Sequence, residues 1–217
     1  MSRRNPRAVE ARRNLGARLR AEVAQVAARL MAEEGVHDFA EAKSRAVDRL
    51  GADGRNTLPR NQEIEAELRA YQALFQADTQ PVWLAAKRRT ALAVMRRLAP
   101  LEPRLAGAVL RGTAVEDGEI TLHVFADAPE TVARLLIDLD IPWALDAAVV
   151  RFGSAAEEEL PVYRFRVEAQ AVRLVVFPAD GPRVAPRSPI DGKPMARADA
   201  AAVEELVGAG SARDVPS

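Results

Sequence analysis

Hydrophobic residues recur at helical spacing through the first hundred positions of the chain. From Pro6 to Glu34, apolar side chains follow one another every three or four residues, which predicts a long amphipathic helix. Asp38, with Glu41 three residues later, has the spacing of a capping box and predicts the start of a second helix. Pro81 suits the first turn of another. The predicted helices after the first span 38–50, 61–76 and 81–98.

The pattern changes after Pro103, where short apolar runs and alternating segments replace the helical spacing. Apolar and polar side chains alternate from Ile120, which is typical of a half-buried strand. Asp127 and Pro129 together predict the cap and first turn of a helix that runs to about 139. The predicted strands span 105–110, 120–125, 147–152, 162–167 and 171–177, and a last helix spans 197–207.

These patterns predict an α+β protein, with a helical N-terminal half followed by a small mixed β-sheet and packed helices. We assign residues 1–80 to a helical N-terminal region and residues 81–207 to the α+β domain. Residues 208–217 are predicted to form a frayed tail.

The composition excludes several kinds of site. The chain has 217 residues, no cysteine and two histidines, so a disulfide scaffold, a thiolate zinc site and a cysteine nucleophile are all excluded. No apolar run approaches the roughly 20 residues that span a bilayer, and the N-terminus has no hydrophobic signal core. We therefore expect a cytoplasmic protein without a membrane partner.

The formal net charge is zero, but the charges are unevenly distributed. Residues 1–20 carry seven arginines and one acid, whereas residues 116–160 carry eleven acids and two bases. One interpretation is that the Arg-rich N-terminal helix binds nucleic acid or an acidic partner. The other is that this helix pairs with the acidic region of the same chain, or of a neighbouring copy in an oligomer.

Between Pro81 and Phe177 the predicted order of elements has a chemical counterpart. A helix and a strand precede the pair Gly112-Thr113, and a second strand, a helix and a hairpin follow it. This order resembles the nucleotidyltransferase fold of the polymerase-beta type. In that superfamily a Gly-Ser pair contacts phosphate, an Asp-x-Asp motif on the second strand binds two Mg²⁺ ions, and a third Asp lies on a later strand.

The resemblance implies roles for individual residues. Gly112 and Thr113, with the adjacent Arg111, take the phosphate-binding position. The Asp-x-Asp position falls on Glu119-Ile120-Thr121, so Glu119 becomes the candidate catalytic and metal residue, and Mg²⁺ the cofactor of an active enzyme. Thr121 cannot supply a second carboxylate, and the later strands offer arginine in place of the third Asp: Arg164 and Arg173.

A site with one carboxylate and several arginines favours anions over Mg²⁺. We therefore expect a degenerate nucleotidyltransferase-like domain that binds a nucleotide or another phosphate-bearing ligand. Three longer segments also resemble a bacterial family of nucleotidyltransferase-like proteins that has no assigned substrate. These segments are Ala27–Gly35, Leu58–Ile64 and Ser188–Met195.

Other side chains are candidates from the residues alone. Thr121, His123 and Asp127 form a polar patch on and after one predicted strand, with His123 as a possible acid–base group or merely a surface imidazole. Lys193 and Arg187 are plausible phosphate contacts, in a segment that could cross the sheet as a strap.

Two alternative functions stay open. One is an active nucleotidyltransferase with an atypical metal site that uses Glu119 together with Asp117 or Asp127. The other is a non-enzymatic module that binds nucleic acid or protein through its basic helix. The first requires a cluster of carboxylates, and the second requires exposed arginines that are free of acidic partners.

Overall fold

The fold was analysed in a computed structural model that describes residues 6–52, 58–153, 157–181 and 185–211. The chain divides into two compact units, residues 1–77 and residues 78–217. The sequence-based boundary lay at 80, within the first turn of a helix that belongs to the second unit.

The first unit consists of three helices in the described ranges: α1 (Pro6–Glu33), α2 (Phe39–Leu50) and α3 (Asn61–Phe75). The long predicted helix is confirmed as α1, which packs against both α2 and α3. Only the C-terminal part of its apolar stripe is buried: Val23 and Leu30 are fully covered, whereas Leu15 is 67% exposed. The core of this unit thus forms around the second half of α1.

The helix starts differ in how well the sequence predicted them. The Asp38 side chain accepts the N–H groups of Ala40 and Glu41, so the predicted cap of α2 is confirmed. At α3 the N-cap is Arg60, whose N–H donates to Glu63 Oε2 at 2.6 Å. A carboxylate in the first turn serves there in place of a side-chain cap.

The second unit alternates helices and strands. After α4 (Gln80–Arg97), a short 3₁₀ turn leads to β1 (Arg104–Ala106) and α5 (Gly107–Arg111). The remaining elements are β2 (Ile120–Phe125), α6 (Pro129–Asp138), β3 (Ala144–Arg151), β4 (Glu157–Val167), β5 (Gln170–Phe177) and α7 (Ala200–Ser211).

The five strands form one mixed sheet in the order β1-β2-β5-β4-β3. The strands β2 and β5 pair in parallel, and the other neighbours are antiparallel. This arrangement confirms the predicted α+β class with a small mixed sheet. Within the described ranges no helix combines the length and the apolar character needed to span a bilayer.

Helices α4, α6 and α7 cover one face of the sheet. Alternate residues of β2 and β5 meet them in a single apolar core that includes Leu122, Leu174, Met95, Leu136 and Val203. The intervening residues point to the opposite face, which we call the cavity face. It carries a smaller apolar cluster: Phe125, Ala148, Leu160, Val162, Val175 and Phe177.

A buried lysine connects two turns of this unit. Lys87 on α4 is 1% exposed, and its ammonium donates to the Gly118 carbonyl oxygen at 2.7 Å and to Gln170 Oε1 at 2.8 Å. Burial lowers the pKa of Lys87, and Asp117 and Glu116 partly oppose that shift. The Lys87 ammonium thus binds one oxygen just before β2, at Gly118, and one at the first residue of β5, Gln170.

Several predicted boundaries were wrong. The run 105–110, interpreted as a strand, forms only the end of β1 before the chain turns at Gly107 (φ +73°) into α5. The acidic segment before 160 belongs to β4 from Glu157 onward. Helix α6 has Ala128 at its N-cap, so Asp127 does not cap it. The predicted tail starts inside α7, and residues 212–217 lie outside the described residues.

Candidate functional site

A cavity of about 570 Å³ lies on the cavity face of the sheet in the second unit. Its volume falls within the range of small-molecule sites. Strands β2, β3 and β5, helix α5 and the segment 186–195 contribute to its lining. The polar side chains among the described lining residues are Arg111, Thr121, His123, Arg151, Glu157, Arg173, Arg187 and Ser188.

The register of two parallel strands places the central polar groups together. Thr121 on β2 is the partner of Arg173 on β5, and His123 is the partner of Val175. Because side chains alternate across a strand, these four residues project to the same face. Residues 52 positions apart in the sequence thereby line one cavity.

The segment 186–195 forms a small hairpin that bounds the cavity. Arg187 and Pro194 form an isolated antiparallel bridge, and the Ser188 N–H donates to the Lys193 carbonyl oxygen at 2.7 Å. The Arg187 N–H also donates to the Arg151 carbonyl oxygen at 2.7 Å, which attaches the hairpin to the end of β3. Within this hairpin the Lys193 side chain is exposed and lies outside the cavity lining.

Positive charge dominates the cavity. Its described lining residues include four arginines and one carboxylate, Glu157. That carboxylate is bound to Arg151, with 2.8 Å between Nε and Oε1. The Arg187 guanidinium donates to the carbonyl oxygens of Gly153 and Gly192. These carbonyls orient Arg187 without neutralising it.

Two of the cavity arginines lie on strands, Arg151 on β3 and Arg173 on β5, and Arg173 is the more buried of the two. It is half-buried on the central strand β5, and its Nε is buried without a hydrogen-bond partner. Burial, reinforced by the positive charge of the neighbouring Arg164, lowers the pKa of Arg173, and the carboxylates of Glu119 and Asp146 partly oppose that shift. A guanidinium keeps its proton in proteins, so Arg173 remains a cation whose Nε has no hydrogen-bond partner.

His123 is a neutral imidazole beside this cation. The side chain is 3% exposed and packs against the Phe177 ring, with 4.5 Å between ring centroids. Burial, and then the charges of Arg197 and Arg173, lower the pKa of His123 to about 3. Its Nδ1 is buried without a hydrogen-bond partner. A proton-transfer role near neutral pH requires a pKa closer to 7, so this lowered pKa argues against His123 as the acid–base group.

Glu119, the candidate metal residue, lies outside the cavity lining and contacts Arg164. The Glu119 carboxylate accepts a hydrogen bond from Arg164, which also donates from Nε to Asp146 Oδ2 at 2.7 Å. Arg164 therefore neutralises two acids outside the cavity lining. Across the part of the chain that the structure describes, no three His, Asp or Glu side chains come close enough to hold a metal ion.

The Gly-Thr pair forms the end of helix α5. The N–H groups of Gly112 and Thr113 both donate to the Ala108 carbonyl oxygen, at 2.9 and 3.0 Å. Gly112 adopts the left-handed conformation (φ +84°) typical of a helix C-terminus. Gln80 Nε2 donates to the Gly112 carbonyl oxygen at 3.0 Å. Because these groups already have partners, this turn does not present free N–H groups to a phosphate.

The structure thus brings together part of the predicted site. The predicted residues that line the cavity are Arg111, Thr121, His123, Arg173 and Arg187. The other candidates lie outside its described lining: Gly112, Thr113, Glu119, Asp127, Arg164 and Lys193. The sequence pattern did not indicate Arg151, Glu157 or the contribution of β3 to the lining, because these exposed strand ends carry no clear alternation.

The structure describes the side chains of two of the seven arginines in residues 1–20. Arg3 and Arg4 lie outside the described residues, as do the side chains of Arg7, Arg12 and Arg13. Arg18 is exposed, and Arg20 donates to both carboxylate oxygens of Glu63 on α3, at 3.0 and 3.1 Å from Nε. Part of this charge is therefore compensated within the first unit.

Fold and site together define the second unit as an α+β domain with an arginine-lined cavity on the cavity face of its sheet. Comparisons of the chain with protein-family models, curated proteins and solved structures find no match.

Proposed function

We propose that the second unit, residues 78–217, binds a small phosphate-bearing ligand in the arginine-lined cavity. The observation that carries this proposal is Arg173, a half-buried cation on a central strand whose buried Nε has no hydrogen-bond partner. A buried donor without a partner costs about 1–3 kcal/mol, and a phosphate oxygen would supply the missing acceptor and the opposite charge.

The surroundings of Arg173 support the same ligand class. Arg187 is held by two carbonyl oxygens, which reduces the conformational entropy that binding would cost. Planar guanidinium groups bind phosphate oxygens bidentately, so two arginines can hold one phosphate strongly. The cavity is also far larger than a phosphate group, which leaves room for the molecule that carries it.

A nucleotidyltransferase-like origin is the finer part of the proposal. The order α4, β1, Gly112-Thr113, β2, α6 and then the β-hairpin supports it. The contacts of Glu119 favour a domain that binds its ligand without transferring a nucleotidyl group, because Arg164 already neutralises this carboxylate. We therefore propose a degenerate member of that fold.

The test is ligand binding by the full chain. The protein's two tryptophans, Trp83 and Trp143, both lie in the second unit, so their fluorescence follows the unfolding of that unit alone. ATP, ribose 5-phosphate and inorganic phosphate are added separately, with and without Mg²⁺, during thermal denaturation. A ligand present at a hundredfold excess over its Kd stabilises the unit by about 2.7 kcal/mol.

Arg173→Gln should weaken binding of the phosphate compounds by about ten- to a hundredfold, since a charge-assisted hydrogen bond is lost. The matched control is Arg134→Gln, which removes the same charge from an exposed position on α6. Equal effects of the two variants, or no stabilisation by any phosphate compound, would overturn the proposal. Stabilisation that requires Mg²⁺ and disappears in Glu119→Gln would instead support an active transferase.

A further inference from the structure

The second unpartnered group in the cavity suggests which phosphate compound fits. His123 is the most enclosed polar residue of the described lining, at 3% exposed, and its Nδ1 lacks a hydrogen-bond partner. Buried polar atoms in native structures are nearly always satisfied by protein, water or ligand. This atom therefore indicates a second polar group of the ligand, separate from the phosphate.

The charges around His123 determine what that group can be. Arg197 and Arg173 both act on the imidazole electrostatically, and the Phe177 ring packs against it. The imidazole is neutral in this surrounding, so it offers one donor and one acceptor but no positive charge. A hydroxyl group matches either tautomer, because it can donate to the ring nitrogen or accept from it.

The spacing of the two groups also restricts the ligand. Thr121 is the strand partner of Arg173, and His123 lies two residues further along β2. Two residues of a strand rise about 7 Å, so the backbone positions beside Arg173 and at His123 lie within the reach of one small phosphate ester. Thr121, beside Arg173, adds a second neutral hydrogen-bonding side chain to the cavity lining.

We infer that the ligand is a phosphate ester of a polyhydroxy compound, such as a phosphorylated sugar or the ribose phosphate of a nucleotide, and that His123 recognises one of its hydroxyl groups. This inference rests on the proposed function, since it assigns the phosphate to Arg173. It makes His123 a specificity-determining residue that discriminates among phosphate esters.

The experiment compares two esters with the same carbon chain. Glycerol 3-phosphate carries hydroxyl groups, and propyl phosphate does not. Affinities of the full chain are measured by NMR titration, in which the imidazole nitrogen signals of the two histidines are also followed. We expect glycerol 3-phosphate to bind about tenfold more tightly, and to shift the Nδ1 signal of His123 where propyl phosphate does not.

His123→Phe keeps a ring against Phe177 but removes the polar atoms, and it should reduce the tenfold preference, measured as the ratio of the two affinities, to about one. His123→Gln restores a neutral hydrogen-bonding group and should recover part of the preference. If tryptophan fluorescence shows that His123→Phe is unfolded, the comparison uses His123→Gln in its place.

The outcomes separate the inference from the proposed function. Failure of both esters to bind the unaltered protein, or binding that is insensitive to Arg173→Gln, overturns the proposed function and the inference together. Binding that depends on Arg173 but shows no preference for glycerol 3-phosphate, or a preference that His123→Phe leaves intact, overturns the inference alone.

Discussion

The neutral state of His123 makes a quantitative prediction about acid stability. In the unfolded chain a histidine has a pKa near 6.5, whereas burial and the charges of Arg197 and Arg173 lower the pKa of His123 to about 3 in the folded protein. Between these two values the unfolded state binds a proton that the folded state does not. Stability must therefore fall as the pH decreases below about 6.5.

The size of the effect follows from the two pKa values. Each pH unit below the unfolded pKa costs about 1.4 kcal/mol until the folded pKa is reached. From pH 7 to pH 4.5 the His123 contribution amounts to a loss of about 2.5 kcal/mol. This is a large fraction of the roughly 5–15 kcal/mol that stabilises an ordinary domain.

The assay is urea denaturation followed by tryptophan fluorescence, because Trp83 and Trp143 report only on the second unit. The unaltered protein is compared with His123→Phe at several pH values from 7 to 4.5. Carboxylates contribute to both curves, so the difference between the curves isolates the imidazole. We expect the unaltered protein to lose about 2.5 kcal/mol more than the variant across this range.

Two parallel stability curves would refute the reasoning, because they would mean that His123 takes up a proton in the folded protein. The imidazole signals of the two histidines give an independent measurement. Those of His123 should stay in the neutral form down to pH 4.5. A midpoint near 6.5 would show that the cavity does not exclude the charged imidazole.

The remaining predictions concern stability at single positions, measured by urea denaturation unless stated. Lys87→Met should cost about 2–4 kcal/mol, since two oxygens lose their buried donor; an unchanged midpoint would contradict its connecting role. Gly181→Ala should cost about 1–3 kcal/mol, because the new Cβ would lie 2.9 Å from Phe177 Cβ. Asp38→Ala should cost about 1 kcal/mol in the helical unit, read by circular dichroism, with Asp38→Asn as the control that keeps the cap. Arg173→Leu should raise the stability of the second unit by about 1 kcal/mol and abolish phosphate binding; a loss of stability would contradict the functional interpretation.

Much of the fold was predictable because helical periodicity and capping act locally. The long stripe of α1 and the cap at Asp38 are short-range features, and both are present in the structure. The run 105–110 was misjudged because a six-residue apolar segment has no period that separates a strand from a buried helix. Its first two residues end β1 and the rest form α5. The positive φ of Gly107 lets the chain change direction between the two elements.

The start of β4 was missed for a different physical reason. Residues 157–159 are three glutamates, all exposed, that pair with the end of β3 near the edge of the sheet. With both faces in contact with water, the segment needs no hydrophobic alternation. Strand prediction from alternation fails where neither face is buried.

The cavity could be predicted only in part, because its residues meet through pairings between distant segments. Thr121 and His123 were recognised from alternation along one strand. Arg173 was predicted from the resemblance to nucleotidyltransferases. Its position beside Thr121, however, is set by the parallel pairing of β2 with β5. No local pattern specifies that pairing, nor the hairpin 186–195 that encloses the site.

The two faces of the central strands differ in a way that stability alone does not explain. Toward the helices, β5 presents Val172, Leu174 and Val176, all within the apolar core. Toward the cavity, the same strand places Arg173 before Val175 and Phe177, although an apolar residue would fit this face without an unpartnered Nε. Since replacing a buried charge by an apolar side chain is often neutral or stabilising, we expect the arginine to reduce the stability of the fold, which Arg173→Leu tests. Violations of this kind are expected where a protein binds a ligand, because the ligand supplies the missing partner.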